Sequence, residues 1–482
     1  MKLLLVNPFF KGAIKIPSLG LGYIATYVRD RTGCEVEVVE QVSSGLSEEE
    51  LFVKIRQADV LGLVCYTESR FEVFEFARKV KAANSSCTII VGGAHVQTLD
   101  MLVLRHCPFI DIVVRREGEE PVAEIMEGRQ LREISGITWR DGREILRNPD
   151  RPVMKDIDSL YLDYSLIAGQ IEGWKDFEIP LELQRLKALP IIASRGCPFK
   201  CRFCAANSYW GTTYRYLSPE ELVRRVEYFA TEHGIGYFRF YDALFTGNEQ
   251  RMLRFCDLIE EKSLKISFRV DVRVGTSEMV LRRLREVGCD VLGFGIESGS
   301  DRILKRMNKG VTRSQVEETI ALSKRLGYWL VGFFMVSLPD ETEDDVMATF
   351  ELLRYFDEAD VQFFKVHPNT AFYDELVQRG EINDETWFDP AQGAELFYCR
   401  ERFPRAKMGF SQVQSILSYA YNHLLICNWR KALNRYGTGR GAALLAMAMI
   451  ANTLLRSSTG RRIHGKVKNM RLVQSLYGWL KQ

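Results

Sequence analysis

Cys197, Cys201 and Cys204 stand in the stretch SRGCPFKCRFC with C-x-x-x-C-x-x-C spacing, so that one short loop can wrap a single metal centre. Thiolates serve zinc and iron–sulfur clusters. Structural zinc is almost always four-coordinate, and no second C-x-x-C or histidine pair lies nearby; Cys256 and His233 have no ligand spacing. A [4Fe-4S] cluster usually takes four thiolates, so three leave one iron open. An open iron can bind a substrate or cofactor through nitrogen and oxygen atoms, which turns an electron carrier into a catalyst.

A loop of this kind needs a frame. The apolar run LPIIAS precedes it, and YFRFYD, SFRVDVR, DVLGFGIE, LVGFFMVSLP and VQFFKVHP follow, each ending a strand and separated by helical patterns. About six βα units are a partial barrel rather than the full eight, and the cysteines fall on the loop after its first strand, where barrel active sites form. In SPEELVRRVEYFATEHG, Ser218, Pro219 and Glu221 predict a cap, a first-turn proline and a capping-box acid.

Upstream, KLLLVN, EVEVV, VLGLVCY, TIIVGG and DIVVR alternate with amphipathic helices, the rhythm of a doubly wound parallel sheet. Ligands of such sheets sit beyond the carboxyl ends of the strands, where this chain offers Asn7, Pro8, Thr67, Glu68, Gly92, Gly93, Glu117 and Gly118. A hairpin with Asp141-Gly142 at its turn closes the region. The expected organisation is a doubly wound Rossmann-like domain over residues 1–145, a linker over 146–188, a partial (β/α)6 barrel over 189–373 and a mostly helical region over 374–482.

With three cysteines on the first loop of a partial barrel, residues 189–373 resemble the radical S-adenosylmethionine (SAM) enzymes. The resemblance implies that Cys197, Cys201 and Cys204 ligate a [4Fe-4S] cluster whose open iron chelates SAM. An electron then cleaves SAM to methionine and a 5′-deoxyadenosyl radical that abstracts hydrogen. It also implies that Phe203 packs near the adenine, and that Tyr241 and Asp242 stand where the SAM amino group is bound. Arg269 and Asp271 would reach the SAM carboxylate or hydroxyls, a structural salt bridge being the other reading of Arg269. Glu297 in GFGIESGS resembles the strand-four acid that contacts SAM. SLPDET resembles a G-x-P-G-E-T turn, with Ser337 and Asp340 where glycine is usual, and Asp340 has a second reading as a helix cap.

LLLVNP, PSLGLGYIATYVRD, IIVGGAHV and VVRREGEEPVAEI together resemble the cobalamin-binding domain found ahead of many radical SAM barrels. Gly92 and Gly93 would allow close backbone approach to a large corrin. The D-x-H-x-x-G motif is absent, and His95 reads as a contact to the nucleotide tail or as a surface residue. The implied activity is methyl transfer to an unactivated carbon, with one SAM methylating the cobalamin and a second yielding the radical. A radical cyclase or other carbon-skeleton enzyme is the alternative.

Composition narrows the partners. A formal net charge of +2 with mixed signs makes no global electrostatic case for nucleic acid. Eleven cysteines in 482 residues are too sparse for a disulfide scaffold, and MKLLLVNPFF lacks signal-peptide features, so a cytoplasmic enzyme is expected. Its expected partners are a small-molecule or lipid substrate and an electron donor such as flavodoxin or ferredoxin. Tyr373, Trp387, Phe388, Phe397 and Tyr398 are candidate pocket or core aromatics. The apolar run 441–455 beside a basic segment suggests peripheral contact with an anionic membrane, an ordinary buried helix being the other reading.

Overall fold

The computed structural model describes residues 1–10 and 16–390, together with helical positions 442, 445, 446 and 449. The described residues divide into two compact units, one of Met1–Asp271 with Glu286–Gly288 and residues 366–390, the other of Val272–Arg285 and Cys289–Lys365.

The first unit begins with a sheet of β1 (Lys2–Asn7), β2 (Glu35–Glu40), β3 (Val60–Val64), β4 (Thr88–Gly92) and β5 (Ile112–Val114), parallel and in the spatial order β2-β1-β3-β4-β5. The runs LLLV, VLGL and IIV are buried because helices cover both faces of such a sheet. Leu3, Leu5, Val60, Ile90 and Ile112 meet Ala25 and Val28 of helix Leu19–Thr32 and Val122 and Met126 of helix Glu119–Met126. The antiparallel β6 (Ile137–Asp141) and β7 (Glu144–Arg147) extend the sheet, joined by a tight turn with Gly142 at φ 59°.

Next come β8 (Ala188–Ile191), the short antiparallel pair β9 (Ser194–Arg195) and β10 (Arg215–Tyr216), then β11 (Tyr237–Phe240) and β12 (Ser267–Val272). β11 lies parallel between β8 and β12, with Tyr237 opposite both Ala188 and Ser267. The second unit carries β13 (Cys289–Glu297), β14 (Trp329–Val336) and β15 (Glu358–Phe363), parallel in sequence order. The architecture is mixed α/β, with a parallel N-terminal sheet and a parallel half-barrel, as the βα rhythm predicts.

Two caps differ from expectation. Ser218 accepts from Glu221 N and Pro219 opens helix Pro219–His233, but the Glu221 carboxylate turns to Arg224 and Arg225, and Asp158 takes the Ser218 N–H at 2.7 Å. Helix Glu343–Leu353 is capped by Thr342 in a reciprocal pair with Asp345, not by Asp340, whose φ of 68° lies in the left-handed region.

The segment between the sheet and the barrel is fastened rather than loose: Tyr164 donates to Pro190 O at 2.6 Å, and Tyr237 donates to Asp176 at 3.0 Å. Among the described residues the last strand ends at Phe363, and helix Ala371–Gln378 and a turn at Asp384–Trp387 follow within the first unit. Tyr373 and Trp387 are core, their rings 5.8 Å apart. Phe388 stacks on Phe74 and His106, whereas Phe397, Tyr398 and the 441–455 run fall outside the described residues apart from the four helical positions. Among the described residues no helix is long and apolar enough to cross a membrane.

Candidate functional site

The loop bearing the cysteines begins and ends at the β9–β10 pair, in which Arg195 stands opposite Arg215 and Ser194 opposite Tyr216. Gly196 sits at φ 88°, and a Cβ there would strike the Thr213 carbonyl, so only glycine lets the chain turn out of the pair into Cys197. Cys201 O accepts from Cys204 N in a tight turn, and helix Ala206–Trp210 leads back. Cys197, Cys201 and Cys204 are partly exposed, whereas Cys65, Cys87, Cys107, Cys256 and Cys289 are buried. Among the described residues no trio of potential ligands surrounds the position of a single ion. Three accessible thiols on one loop suit a cluster whose thiolates bind different irons.

Asp242, expected at the SAM amino group, is buried and accepts from Ala193 N at 3.1 Å and from the Ser194 hydroxyl. Burial pushes its carboxyl up to about 6. It therefore holds the strand that leads into Cys197. The Tyr241 ring lies 4.7 Å from the Arg239 guanidinium and near Trp174. Arg269 is fully buried and paired with Glu178 at 2.8 Å and Asp176 at 3.2 Å, the arrangement of its salt-bridge reading, while Asp271 pairs with Arg239 at 2.8 Å. Phe203 is half-buried on the cysteine loop.

In the second unit, Glu297 ends β13 at φ 70°, where the pairing with β14 shifts register. A bulge of this kind re-aims a side chain, and left-handed backbone at a non-glycine residue marks functional sites. Lys309 holds the Glu297 carboxylate at 2.9 Å. Ser337 and Asp340 have φ of 69° and 68°, so the turn keeps the conformation that glycines would adopt. Glu341 accepts from Ser337 N and Leu338 N through Oε2, while its buried Oε1 has no partner. Burial raises its carboxyl to about 8.

At the carboxyl ends of the N-terminal strands, Asn7 Oδ1, Gln97 Oε1, Thr98 Oγ1 and both ring nitrogens of His95 are buried without a hydrogen-bond partner. Buried polar groups are nearly always satisfied, and a corrin rimmed with amides would supply the missing donors and acceptors. His95 is not at the surface: it is fully buried, edge-on to Trp387 at 5.6 Å, and burial and the nearby Arg70 keep it neutral. Thr67 is buried, its hydroxyl 3.5 Å from His367 Nδ1; Pro8 is buried beside Asn7, and Glu68 is half-buried. A Cβ on Gly93 would come within 2.7 Å of Cys65 O, so this glycine serves strand-to-strand approach, while Gly92 has room. Gly118 packs under Ile24. Glu117 is bound by Arg195 at 2.9 Å and Arg215 at 2.8 Å.

Comparison with known proteins matches residues 11–126 to the B12 binding domain and residues 191–353 to the Radical SAM superfamily. An uncharacterized methyltransferase of Pyrococcus horikoshii is 30% identical over 80% of this chain and 85% of its own. The chain belongs to the cobalamin-dependent radical SAM family. An anaerobic magnesium-protoporphyrin IX monomethyl ester cyclase of Cereibacter sphaeroides is 26% identical over 80% of this chain and 65% of its own. The solved cobalamin-dependent radical SAM enzyme OxsB, with aqua-cobalamin bound, shares the fold at a TM-score of 0.73 and 18% identity, over 98% of this chain and 76% of its own. As a radical SAM enzyme the chain uses a [4Fe-4S] cluster, SAM and cobalamin. Sequence reasoning missed Arg195, Arg215, Lys309 and Glu341. Arg195 lies two residues before Cys197 and Glu341 is the acid of SLPDET, whereas Lys309 lies beyond the helix that follows Glu297 and carries no local signal.

Proposed function

We propose that the enzyme transfers a methyl group to an unactivated carbon of a small molecule, with Cys197, Cys201 and Cys204 as the cluster ligands. The observation that carries this reading is the row of unsatisfied polar atoms at the carboxyl edge of the N-terminal sheet, in the same compact unit as the cysteine loop. When bound there, the three cofactors supply hydrogen abstraction and a methyl group. The chain's own part is positional. Asn7, His95, Gln97 and Thr98 would hold the rim and tail of the corrin, Phe203 would pack on the adenine, and Glu297 would take the ribose hydroxyls of SAM. Tyr241 and Ser337 would line the same cofactor. The methyltransferase name of the Pyrococcus relative favours this outcome; the cyclase relatives support ring formation as the second reading.

The deciding experiment is anaerobic reconstitution with cobalamin, a one-electron reductant and methyl-deuterated SAM, supplied with a small-molecule extract. Methyl transfer requires S-adenosylhomocysteine and 5′-deoxyadenosine to form together, with deuterium in a product. Deoxyadenosine without S-adenosylhomocysteine selects the cyclase reading. A flavodoxin-type or ferredoxin-type donor fits the need for single electrons, and contact of the 441–468 region with anionic lipid is tested by liposome flotation of the full chain against one ending near residue 436.

A further inference from the structure

Between Cys197 and Gly211 the cysteine loop closes on itself through Cys197 N to Gly211 O at 3.4 Å, the Cys201–Cys204 turn, Asn207 Nδ2 to Phe199 O at 2.6 Å and one short helix. Arg202 O accepts from Phe372 N at 3.2 Å, and the Arg202 guanidinium pairs with Glu375 at 2.8 Å. The two stems of the loop are tied as well. Arg195, in the incoming stem, donates to Glu117 Oε1 at 2.9 Å and to Glu119 Oε1 at 2.6 Å. Arg215, in the outgoing stem, donates to Glu117 Oε1 at 2.8 Å and Oε2 at 3.1 Å, to Met154 O, and to Trp210 O at 3.0 Å. Glu117 Oε2 also accepts from Met154 N at 2.9 Å. The Arg195 guanidinium lies between the Trp210 and Tyr23 rings, 4.8 and 5.4 Å from their centroids. All four ionic side chains of the cluster are at most 9% exposed.

We propose that Glu117, at the carboxyl end of β5 in the cobalamin-binding sheet, is the positioning residue for the iron–sulfur loop, because both stems of that loop close on its one carboxylate. The dual bond to guanidinium groups cannot be replaced by water at this burial, so losing it weakens both stems at once, leaving Arg195 to Glu119 and Arg215 to Met154 O and Trp210 O. Despite its burial, the two arginines hold the Glu117 carboxyl below the usual range, so it stays ionised through the neutral region. A second tie acts in the same sense: Gln97, beyond β4, donates to the Ser208 hydroxyl of the loop at 3.0 Å. The loop that holds the cluster is thus carried by residues of the corrin-binding sheet, and Glu117 is assigned to it rather than to the corrin.

The test uses the full chain with Glu117→Gln, which keeps shape and loses charge, and Arg215→Lys, which keeps charge and loses the fork. Hydrogen exchange is followed over residues 196–215 before and after cluster reconstitution, alongside the electron paramagnetic resonance spectrum of the reduced cluster with and without SAM, and corrin uptake by absorbance. We expect exchange in the loop to quicken about tenfold in Glu117→Gln, the SAM-dependent change in the cluster spectrum to broaden or disappear, and corrin uptake to stay as in the parent. Arg215→Lys should keep part of the spectral response through its retained charge. Unchanged loop exchange and cluster spectrum with weakened corrin uptake would place Glu117 in the corrin pocket and overturn the proposal. Exchange that quickens equally throughout the protein would overturn it too, since that is general destabilisation.

Discussion

Lys309 Nζ lies 2.9 Å from Oε1 of Glu297, and the pair rests on the bare backbone of Gly295, where a Cβ would come within 2.8 Å of the carboxylate and 3.1 Å of the ammonium. The strand therefore has a glycine two residues before its terminal acid so that a cation can lie across it. Lys309 sets where the Glu297 carboxylate points, and Glu297 is the residue proposed to hold SAM. Replacing Lys309 by methionine should weaken SAM binding about tenfold while cluster content and corrin uptake stay unchanged. Equilibrium binding of SAM to the reconstituted protein checks this, and an unaltered affinity removes Lys309 from the SAM site.

Gly295→Ala tests the same arrangement from the other side. The added methyl must displace the ion pair, so SAM affinity should fall in parallel with Lys309→Met, and the double variant should be less than additive. Additive losses would mean the two changes act at separate places.

Ser337 and Asp340 both hold left-handed backbone, which costs a residue with a Cβ roughly 1 kcal/mol or more. Asp340 tolerates the region better than Ser337, and glycine also loosens the unfolded chain. Ser337→Gly is thus expected to stabilise by about 0.5–1 kcal/mol and Asp340→Gly by less, measured by the urea midpoint at constant slope.

Burial raises the Glu341 carboxyl from its ordinary 4.5 to about 8, so the folded protein holds this proton more tightly than the unfolded chain does. The sign follows: the contribution is fully present below about pH 4.5 and is lost as pH rises toward 8. Glu341→Gln keeps an acceptor for Ser337 N and Leu338 N and cannot ionise. Its Tm should change less between pH 5 and 8 than that of the parent protein, and parallel Tm profiles would contradict the assignment.

Arg269 separates structure from catalysis. Fully buried, it pairs with Glu178 at 2.8 Å and with Asp176 at 3.2 Å, while Asp271 is held more closely by Arg239 at 2.8 Å. Arg269→Met should cost about 3–5 kcal/mol of stability and leave the SAM affinity of the surviving folded protein unchanged. A selective loss of SAM binding in a stable protein would restore the cofactor reading.

Much of this was legible in the residues themselves. Apolar runs of four to six residues alternating with amphipathic helices produce parallel strands wherever they occur, so KLLLVN, TIIVGG and YFRFYD read correctly without any tertiary knowledge. The cysteine spacing was equally local. What stayed hidden were partners far apart in the chain. Asp242 looks like a strand-end ligand until Ala193 and Ser194 are seen on its carboxylate, and Arg269 looks like an anion receptor until Asp176 arrives from 93 residues away. Glu221 satisfied a capping-box pattern, but two arginines on its own helix compete for it. Charged side chains choose among several partners within reach, and spacing along the chain does not rank them.

Trp387 gives the domain boundaries a different meaning. Its ring is fully buried against His95 and Tyr373, and its carbonyl accepts from Arg70 Nε at 3.0 Å, so a residue beyond the last barrel strand completes the interior of the first sheet. Cutting the chain after the cobalamin-binding segment would leave Arg70 and His95 facing water with nothing to replace the indole. The interior of the N-terminal segment therefore includes a residue from far beyond it in the chain, and grafting that segment onto another barrel would have to carry this distant tryptophan along.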